Sequence, residues 1–359
     1  MSRAHNFCAG PAALPLSVLQ RASEELLDWQ GHGCSVMEMS HRSEPVVAMV
    51  DAAEASLRRL LNISDDYAVF FQQGGATQQF AAVPLNLCGP TDTVAQVLTG
   101  QWSKKAIAEA KNYAQVRVLA SSEDQNFSYV PAQSDWQTAD GTAYLHYCPN
   151  ETIGGLAFNF VPEASVPLVA DMSSTILSQP MDVSQFGVIY AGAQKNIGPA
   201  GLVLMIVRRE LLGRARENCP STLNWQLAAD NGSMYNTPPT FSIYLAGLVF
   251  EWLEAQGGLT AVEAMNRRKA DKLYGLIDAS PFYHNPINPP DRSRMNVPFT
   301  LADSALDDKF LAEADAAQLL NLKGHRSVGG MRASIYNAVS EASVAALCDF
   351  MADFERRHG

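Results

Sequence analysis

The sequence predicts an α/β fold in which a mostly parallel sheet carries helices on both faces. From about Ala68 onward, short apolar runs alternate with stretches whose apolar residues have helical spacing. The apolar runs are continuous rather than alternating, as is typical of strands that are buried on both faces of a sheet. With 359 residues and 47% hydrophobic content, the chain can bury a substantial core, and its length allows two domains.

The predicted elements of the sheet region follow in a regular order, each strand leading through a turn into the next element. The predicted strands cover residues 68–71, 93–98, 143–147, 166–171, 188–195 and 201–207, and the predicted helices between them cover 78–87 and 103–114. A crevice beyond the carboxyl ends of such strands is the usual ligand site. Polar residues follow the strands at this edge: Thr77, Trp102, Thr152, Asp171 and Lys195.

The composition changes after a long predicted helix over residues 241–256, which ends at Gly257 and Gly258. A helix over 259–276, a proline-rich loop and a shorter set of strand and helix signals follow, and the chain finishes in an amphipathic stretch over 340–357. We therefore predict a large domain over 16–256 and a smaller α+β domain over 257–359, to which residues 1–15 also belong.

The charge balance and the cysteines narrow the class of protein. The chain has 26 Lys and Arg against 37 Asp and Glu, a net charge of −11, which disfavours nucleic acid and anionic membranes as partners. The N-terminus has no apolar core of signal-peptide length, and no later apolar run is long enough for a membrane span, so we expect a soluble protein of the cytoplasm. The six cysteines are spread singly without metal-ligand spacing, which predicts reduced thiols and no metal site.

One lysine and one aspartate close two neighbouring apolar runs. Lys195 follows the run that begins at Val188 and is surrounded by small residues, and Asp171 ends the run that begins at Val166. A buried amine is costly unless it has a partner or a chemical role, and a neutral lysine can form a Schiff base with an aldehyde. An aspartate beside it can keep a pyridine nitrogen protonated, so the pair predicts a pyridoxal phosphate site. The alternatives are a surface lysine and a helix-capping aspartate.

Other residues extend this hypothesis with weaker signals. The turn Gly74-Gly75-Ala76-Thr77 opens a predicted helix, whose amino end can bind phosphate. Trp102 is equally consistent with a core aromatic and with a flat surface stacked on a cofactor ring. The pairs His41-Arg42 and His325-Arg326, together with Arg332, form the local positive charge that an anionic substrate needs in an acidic protein.

Six longer motifs resemble those of the phosphoserine aminotransferases, in the class-V group of fold-type I pyridoxal-phosphate enzymes. The resemblance runs nearly end to end, through residues 6–12 (NFCAGPA), 39–43 (MSHRS), 71–76 (FQQGGA), 191–201 (AGAQKNIGPAG), 235–240 (YNTPPT) and 323–333 (KGHRSVGGMRA). It implies a seven-stranded sheet, a homodimer with an active site shared between subunits, and transfer of an amino group from glutamate to 3-phosphohydroxypyruvate. In some bacteria such enzymes also act in pyridoxine synthesis, on a phosphorylated four-carbon hydroxy-oxo acid.

The resemblance also implies a role for each candidate residue. Lys195 binds the cofactor and moves the proton of the substrate α-carbon, Asp171 pairs with the ring nitrogen, and Trp102 stacks on the ring. The cofactor's oxygen and phosphate contact Thr152, Ala76, Thr77 and Gln194, with Asn236 and Thr237 of the other subunit. The substrate phosphate meets His41, Arg42, His325 and Arg326, and the substrate α-carboxylate meets Arg332.

Two positions depart from the resemblance. Thr77 stands where many bacterial members have an arginine that reaches the substrate phosphate of the neighbouring subunit, and Ala9 stands where a serine is common. Three other functions stay open: a desulfurase or other lyase of the same fold, a non-enzymatic protein that binds a phosphorylated ligand, and transamination of an unphosphorylated oxo acid. A desulfurase needs a mobile cysteine near the substrate, and the segment around His325 has none.

Overall fold

The computed structural model describes residues 3–359. Its largest sheet has seven strands, and three smaller sheets have two or three strands each. In chain order, the strands are β1 (His5–Asn6), β2 (Tyr67–Gln73), β3 (Thr93–Leu98), β4 (Gln115–Ser121), β5 (Leu145–Tyr147), β6 (Asn150–Glu151), β7 (Leu156–Ala157), β8 (Leu168–Asp171), β9 (Val188–Gly192), β10 (Leu202–Arg208), β11 (Tyr283–His284), β12 (Asn296–Leu301), β13 (Leu319–Leu320) and β14 (Met331–Ser334).

The helices fall into an amino-terminal pair, a set that covers the large sheet and a set that covers the carboxyl-terminal sheet. In chain order, they are α1 (Leu16–Glu24), α2 (Glu44–Leu61), α3 (Ala76–Leu87), α4 (Gln101–Ala110), α5 (Trp225–Asp230), α6 (Thr240–Ala255), α7 (Gly258–Ala279), α8 (Asp307–Ala316) and α9 (Glu341–His358). Over the described residues, no helix has the length and apolar character that a membrane crossing requires.

The large sheet is mostly parallel, as the sequence predicted. Its strand order is β2-β10-β9-β8-β5-β3-β4, and β10 alone in it runs antiparallel to its neighbours. The carboxyl ends of the six other strands therefore meet at one edge. Residues Leu168–Asp171 and Val188–Gly192 are buried along their whole length, which explains their continuous apolar pattern.

Helices cover both faces of this sheet. Side chains of β9 alternate between two cores: Ile189 and Ala191 pack with residues of α2 and α6, whereas Val188 and Tyr190 pack with residues of α3, α4 and α5. The chain thus places a layer of helices on each side, and the period-two alternation of the strand divides its side chains between them.

A third core belongs to the carboxyl-terminal part of the chain. The three-stranded antiparallel sheet β11-β12-β14 packs with side chains of α7, α8 and α9, and Phe7 from the amino-terminal segment is buried in the same core. The segment is tied there by β1, which pairs with β13. The domain boundaries at residues 15–16 and 256–257 remain a prediction.

Four details differ from the sequence prediction or were absent from it. Strand β9 ends at Gly192, so Lys195 lies in the following turn rather than on the strand. Strand β4 was not predicted, because it is the half-exposed edge of the sheet and its polar residues interrupt the apolar run. Helices α1 and α2 lie before the region in which elements were predicted, and both pack against α6.

Candidate active site

Lys195 lies in a tight turn between β9 and β10. The backbone N–H of Ala193 donates to the carbonyl of Leu202, and the N–H of Lys195 donates to the carbonyl of Ala193, so the turn is fixed by the sheet itself. The side chain is 8% exposed, and its Nζ donates to Oγ1 of Thr152 over 2.6 Å. Burial lowers the pKa of Lys195 to about 8, against the opposing charge of Asp171. A far larger fraction of this amine than of an ordinary lysine is therefore neutral and nucleophilic near neutral pH.

Asp171 ends β8, the neighbour of β9 in the sheet. It pairs in register with Tyr190, and its side chain is 7% exposed. The two hydrogen bonds that it accepts from described residues both end at Oδ1, from the backbone N–H of Ser173 at 3.0 Å and from the Ser173 hydroxyl at 2.5 Å. Burial raises the pKa of Asp171, whereas Ser173 and the charge of Lys195 favour the carboxylate. Ser173 thus fixes one carboxylate oxygen and leaves Oδ2 for another donor.

Trp102 presents its indole ring to this pair from the first turn of α4. The Nζ of Lys195 lies 5.8 Å from the ring centroid. Within residues 3–359 the buried Nε1 of Trp102 has no hydrogen-bond partner. A buried N–H group normally has one, so we expect it to donate to a molecule other than this chain. A planar ring stacks on an aromatic face at about 3.5–4 Å. This distance is shorter than the 5.8 Å between the Trp102 ring centroid and Nζ of Lys195, so a ring can stack on the indole on the side of the amine.

The turn from β2 into α3 has the geometry of a phosphate site. Gly74 has a φ of 111°, which favours glycine, and Gly75 precedes the first turn of the twelve-residue helix α3. Backbone N–H groups at that end, including those of Ala76 and Thr77, lack the carbonyl partner that a preceding turn would supply. Gln194, next to Lys195, is half-buried, and its carbonyl accepts from the N–H of Ala12.

The other two predicted phosphate ligands are exposed in the single chain. Asn236 donates from Nδ2 to Oε1 of Gln73 over 3.0 Å, and Gln73 in turn donates to the carbonyl of Thr237. This segment therefore lies against the end of β2, beside the Gly74 turn of its own chain. Its exposure leaves both residues available to another chain.

The predicted basic residues are only partly brought together. Arg332, on β14, donates from Nη1 to the carbonyl of Thr152 over 3.1 Å, which places it beside the Lys195 site. Burial lowers the pKa of His325, and the positive charges of Arg332, Lys105 and Arg326 lower it further, so these four residues form one basic cluster.

His41 and Arg42 are not joined to this cluster within the chain. They lie in the loop before α2, and no hydrogen bond or ion pair of the described residues connects either side chain to another candidate residue. The buried Nε2 of His41 also lacks a partner among residues 3–359. Arg42 is exposed.

The sequence analysis did not identify two of the residues that contact the site. Lys105 carries its ammonium 4.3 Å from the centroid of the Trp102 ring, and its position three residues after Trp102 on a predicted helix was the signal that could have found it. Glu151 accepts hydrogen bonds from the backbone at Trp102 and Ser103, a contact that no local pattern reveals.

Comparisons with known proteins establish the family of this chain. The sequence profile of the family described as aminotransferase class-V matches residues 4–347. A phosphoserine aminotransferase of Pseudomonas aeruginosa (strain LESB58) is 63% identical over 359 residues, which cover 99% of each chain. The solved phosphoserine aminotransferase of Bacillus circulans subsp. alkalophilus has a TM-score of 0.97 at 46% identity, with 99% of each chain covered.

A solved structure of PLP-bound phosphoserine aminotransferase from Trichomonas vaginalis has a TM-score of 0.94 at 42% identity, and the match covers 98% of this chain and 100% of that one. Identity at this level over the full length is far beyond similarity of fold alone. The chain therefore belongs to the class-V aminotransferases and, within that family, to the phosphoserine aminotransferases.

Proposed function

We propose that this chain is a pyridoxal-phosphate-dependent transaminase of serine biosynthesis. It converts 3-phosphohydroxypyruvate and glutamate to O-phosphoserine and 2-oxoglutarate. The observation that carries the proposal is the buried pair of Lys195 and Asp171 beside the face of Trp102. Asp171 ends β8, and Lys195 lies in the turn after β9, the parallel neighbour of β8. The relatives that match over their full length bear the same activity in their names.

The residues of the site fit pyridoxal phosphate by their chemistry. Asp171 offers a carboxylate oxygen to a protonated pyridine nitrogen, Trp102 offers an aromatic face, and Thr152 offers a hydroxyl. The amino end of α3 offers N–H groups to the phosphate, together with Gln194. When bound, the cofactor supplies the electron sink that allows a proton to leave the substrate α-carbon.

Lys195 is the group that handles this proton. Its neutral amine can accept the proton from the substrate α-carbon, and the resulting ammonium can then donate that proton to the cofactor. A pKa of about 8 places the amine close to the balance between the two forms, which suits a group that acts as a base and then as an acid. Thr152 fixes Nζ through the hydrogen bond described above.

The basic cluster accounts for the substrate. Arg332 is positioned by Thr152 and can bind the α-carboxylate that both amino acids share. Arg326 and Lys105 provide positive charge for the phosphate of phosphoserine, and His325, whose lowered pKa favours the neutral imidazole, can donate a ring N–H to it. The same charges suit a phosphorylated four-carbon hydroxy-oxo acid, so a second role in pyridoxine synthesis is part of the proposal.

We infer that the working form is a homodimer with a shared active site. His41 and Arg42 have the charge that a substrate phosphate needs, yet the single chain leaves them apart from the basic cluster. Leu27 is 84% exposed and Met37 is 52% exposed in the segment that precedes them, and both offer apolar surface that a partner subunit can cover. A partner subunit that covers this region can bring its His41 and Arg42 to the site, and its Asn236 and Thr237 to the cofactor phosphate.

The cysteines bear on two further points. Burial raises the pKa of the Cys148 thiol, the one that lies near Asp171 and Lys195, far above its usual value, so it is a poor nucleophile for a desulfurase. All six cysteines are unpaired, which is the state that a reducing compartment maintains, and we place the enzyme in the cytoplasm on that basis.

A spectroscopic half-reaction tests the proposed function. Protein incubated with pyridoxal phosphate should gain a visible absorption band that Lys195→Ala lacks. Phosphoserine and glutamate should each convert this band to the amino form of the cofactor, and alanine should do so at least about a hundredfold more slowly, because it has no second anionic group. A protein without the band, or one that reacts equally well with all three amino acids, would refute the proposal.

A further inference from the structure

A buried glutamate outside the predicted site connects two of its parts. The Glu151 side chain has 0% exposure. Its Oε2 accepts from the backbone N–H of Trp102 over 2.9 Å, and its Oε1 accepts from the backbone N–H and the hydroxyl of Ser103 over 2.8 and 2.7 Å. Both N–H groups belong to the first turn of α4, where no preceding helical turn supplies acceptors.

Burial of a carboxylate is costly unless hydrogen bonds compensate it. Burial raises the pKa of Glu151, while the three donors from Trp102 and Ser103 favour the ionised form. The Glu151 side chain is surrounded by three hydrogen-bond donors and no acceptor, so a carboxylate can accept from all three. A neutral amide cannot, since its nitrogen would face an N–H group. Charge at the amino end of α4 also interacts favourably with the helix dipole.

The backbone opposite Glu151 is shaped for this contact. A Cβ added at Gly100 would lie 2.4 Å from the carboxylate carbon of Glu151, so residue 100 has to be glycine for the carboxylate to reach the helix end. On its other side, Glu151 is followed directly by Thr152, whose hydroxyl holds Nζ of Lys195 and whose carbonyl holds Arg332. The dipeptide Glu151-Thr152 thus contacts the element that carries Trp102, the lysine and the arginine.

We propose that Glu151 is a positioning residue of the active site, which sets the Trp102 ring at a fixed distance from Thr152 and Lys195 and so determines how tightly and in which orientation the cofactor ring is held. It touches neither substrate nor cofactor. The inference rests on the proposed function, because it assigns the stacked ring and the amine to one cofactor. It goes beyond that function by naming a residue that acts through two others.

The test compares Glu151→Gln with Asp291→Asn in the full-length protein reconstituted with pyridoxal phosphate. Asp291 is a matched control, since it is also a buried carboxylate that accepts a backbone N–H, that of Val130 at 3.1 Å, and its pKa is likewise raised by burial. The measurements are the dissociation constant of the cofactor, the visible circular dichroism per bound cofactor, and the melting temperature of the cofactor-free protein.

Glu151→Gln should weaken cofactor binding about tenfold, the cost of one lost hydrogen bond to a charged group, and should reduce or invert the visible dichroism. Asp291→Asn should lower the melting temperature without changing either cofactor measurement. Parental affinity and dichroism in Glu151→Gln would overturn the inference, as would equal effects of the two variants on both cofactor measurements.

Two further measurements keep the result unambiguous. If Glu151→Gln does not fold, Ser103→Ala takes its place, because it removes one of the three hydrogen bonds of Glu151 and leaves the carboxylate on the backbone donors. It also removes the hydroxyl that accepts from the backbone N–H groups of Thr99 and Gly100. It should weaken cofactor binding about threefold, and no change in affinity or dichroism would count against the inference. The parental protein separates the two proposals: if it binds no cofactor, the proposed function is wrong, and if it binds while Glu151→Gln behaves identically, only the role of Glu151 is wrong.

Discussion

Lys195 and Asp171 illustrate how burial sets the chemistry of single side chains. Both are almost fully buried, and burial disfavours the charged form of each, so it lowers the pKa of the lysine and raises that of the aspartate. Their mutual attraction opposes both shifts. The balance keeps an amine that is partly neutral beside a carboxylate that Ser173 holds by two hydrogen bonds.

The pH dependence of cofactor capture follows from this balance. Lys195 is mostly protonated and unreactive below its pKa of about 8, so the rate at which cofactor-free protein gains the visible band should rise with pH, with an inflection near 8 and a plateau about one unit above it. Asp171→Asn removes the negative charge that favours the ammonium and should move the inflection to lower pH. The control is the amino acid lysine with its α-amino group blocked, whose side chain reacts with pyridoxal phosphate in the same buffers and so reports changes in the cofactor itself. An inflection near 10.5, the ordinary lysine value, would contradict the role of burial.

At the scale of one element, α4 carries two side chains of the proposed site on the same face. Trp102 and Lys105 are three residues apart and therefore adjacent on the helix surface, with the ammonium 4.3 Å from the ring centroid. Lys104 precedes Lys105 but points elsewhere, since it pairs with Glu123 over 2.8 Å. The helix thus gives one lysine to the basic cluster and one to the protein surface.

The different surroundings of Lys105 and Lys104 predict that substitution of Lys105 alone affects phosphorylated substrates. Lys105→Gln should raise KM for phosphoserine about tenfold, equal to one lost charge-assisted contact, and should leave the slow reaction with alanine nearly unchanged. Lys104→Gln is the matched control and should alter neither reaction. Steady-state kinetics with both amino acids give the comparison. A loss of similar size for both substrates would show that Lys105 acts on the ring or the fold instead of the phosphate.

A second element depends on a buried lysine. Lys269, on α7, is 1% exposed, and its Nζ donates to the carbonyls of Ile335, Tyr336 and Val339 over 2.8–2.9 Å. It therefore fixes the loop after β14. The Tyr336 hydroxyl in that loop donates to the carbonyl of Ala9 and so connects it to the amino-terminal segment.

Removal of this amine should cost stability. Lys269→Met leaves the carbonyls of Ile335 and Val339 without a donor, whereas the carbonyl of Tyr336 keeps the backbone N–H of Val339. It should lower the free energy of unfolding by about 3 kcal/mol, even though the methionine fills a similar volume. Lys272→Met, at an exposed position three residues later on the same helix, should change it by less than about 0.5 kcal/mol. Urea denaturation at one fixed protein concentration measures both. Equal stabilities for the two variants would contradict the assigned contacts.

Over the whole molecule, the sequence was most informative where burial is complete. Strands that are buried on both faces have a continuous apolar pattern, so β2, β3, β8 and β10 were predicted within a few residues. The edge strand β4 was missed because its exposed residues remove that pattern. The reversed direction of β10 was not predictable from periodicity, which is the same for both directions.

Part of the site was predictable from the sequence, and part of it depends on packing that the sequence does not show. Parallel strands bring their carboxyl ends to one edge, so Asp171, Lys195 and Trp102 could be grouped before any coordinates were known. Contacts made by Glu151 and Lys105 depend on how a hairpin and a helix pack, and a local pattern does not show them. His41 and Arg42 have the residue types of a phosphate site but lie apart from it in one chain.

A mixing experiment tests whether Arg42 acts from the partner subunit of the proposed homodimer. Lys195→Ala protein has an intact Arg42, and Arg42→Ala protein has an intact Lys195, so each homodimer should have little activity with phosphoserine. An equal mixture in which subunits exchange at random should recover about a quarter of the parental activity. About half of the dimers are then hybrids, and each hybrid has one complete site of two. Mixing Arg42→Ala protein with the double variant Lys195→Ala/Arg42→Ala is the control and should give no recovery. If the first mixture also stays inactive although hybrids form, Arg42 serves the site of its own chain, and the charges for the substrate phosphate do not cross the dimer.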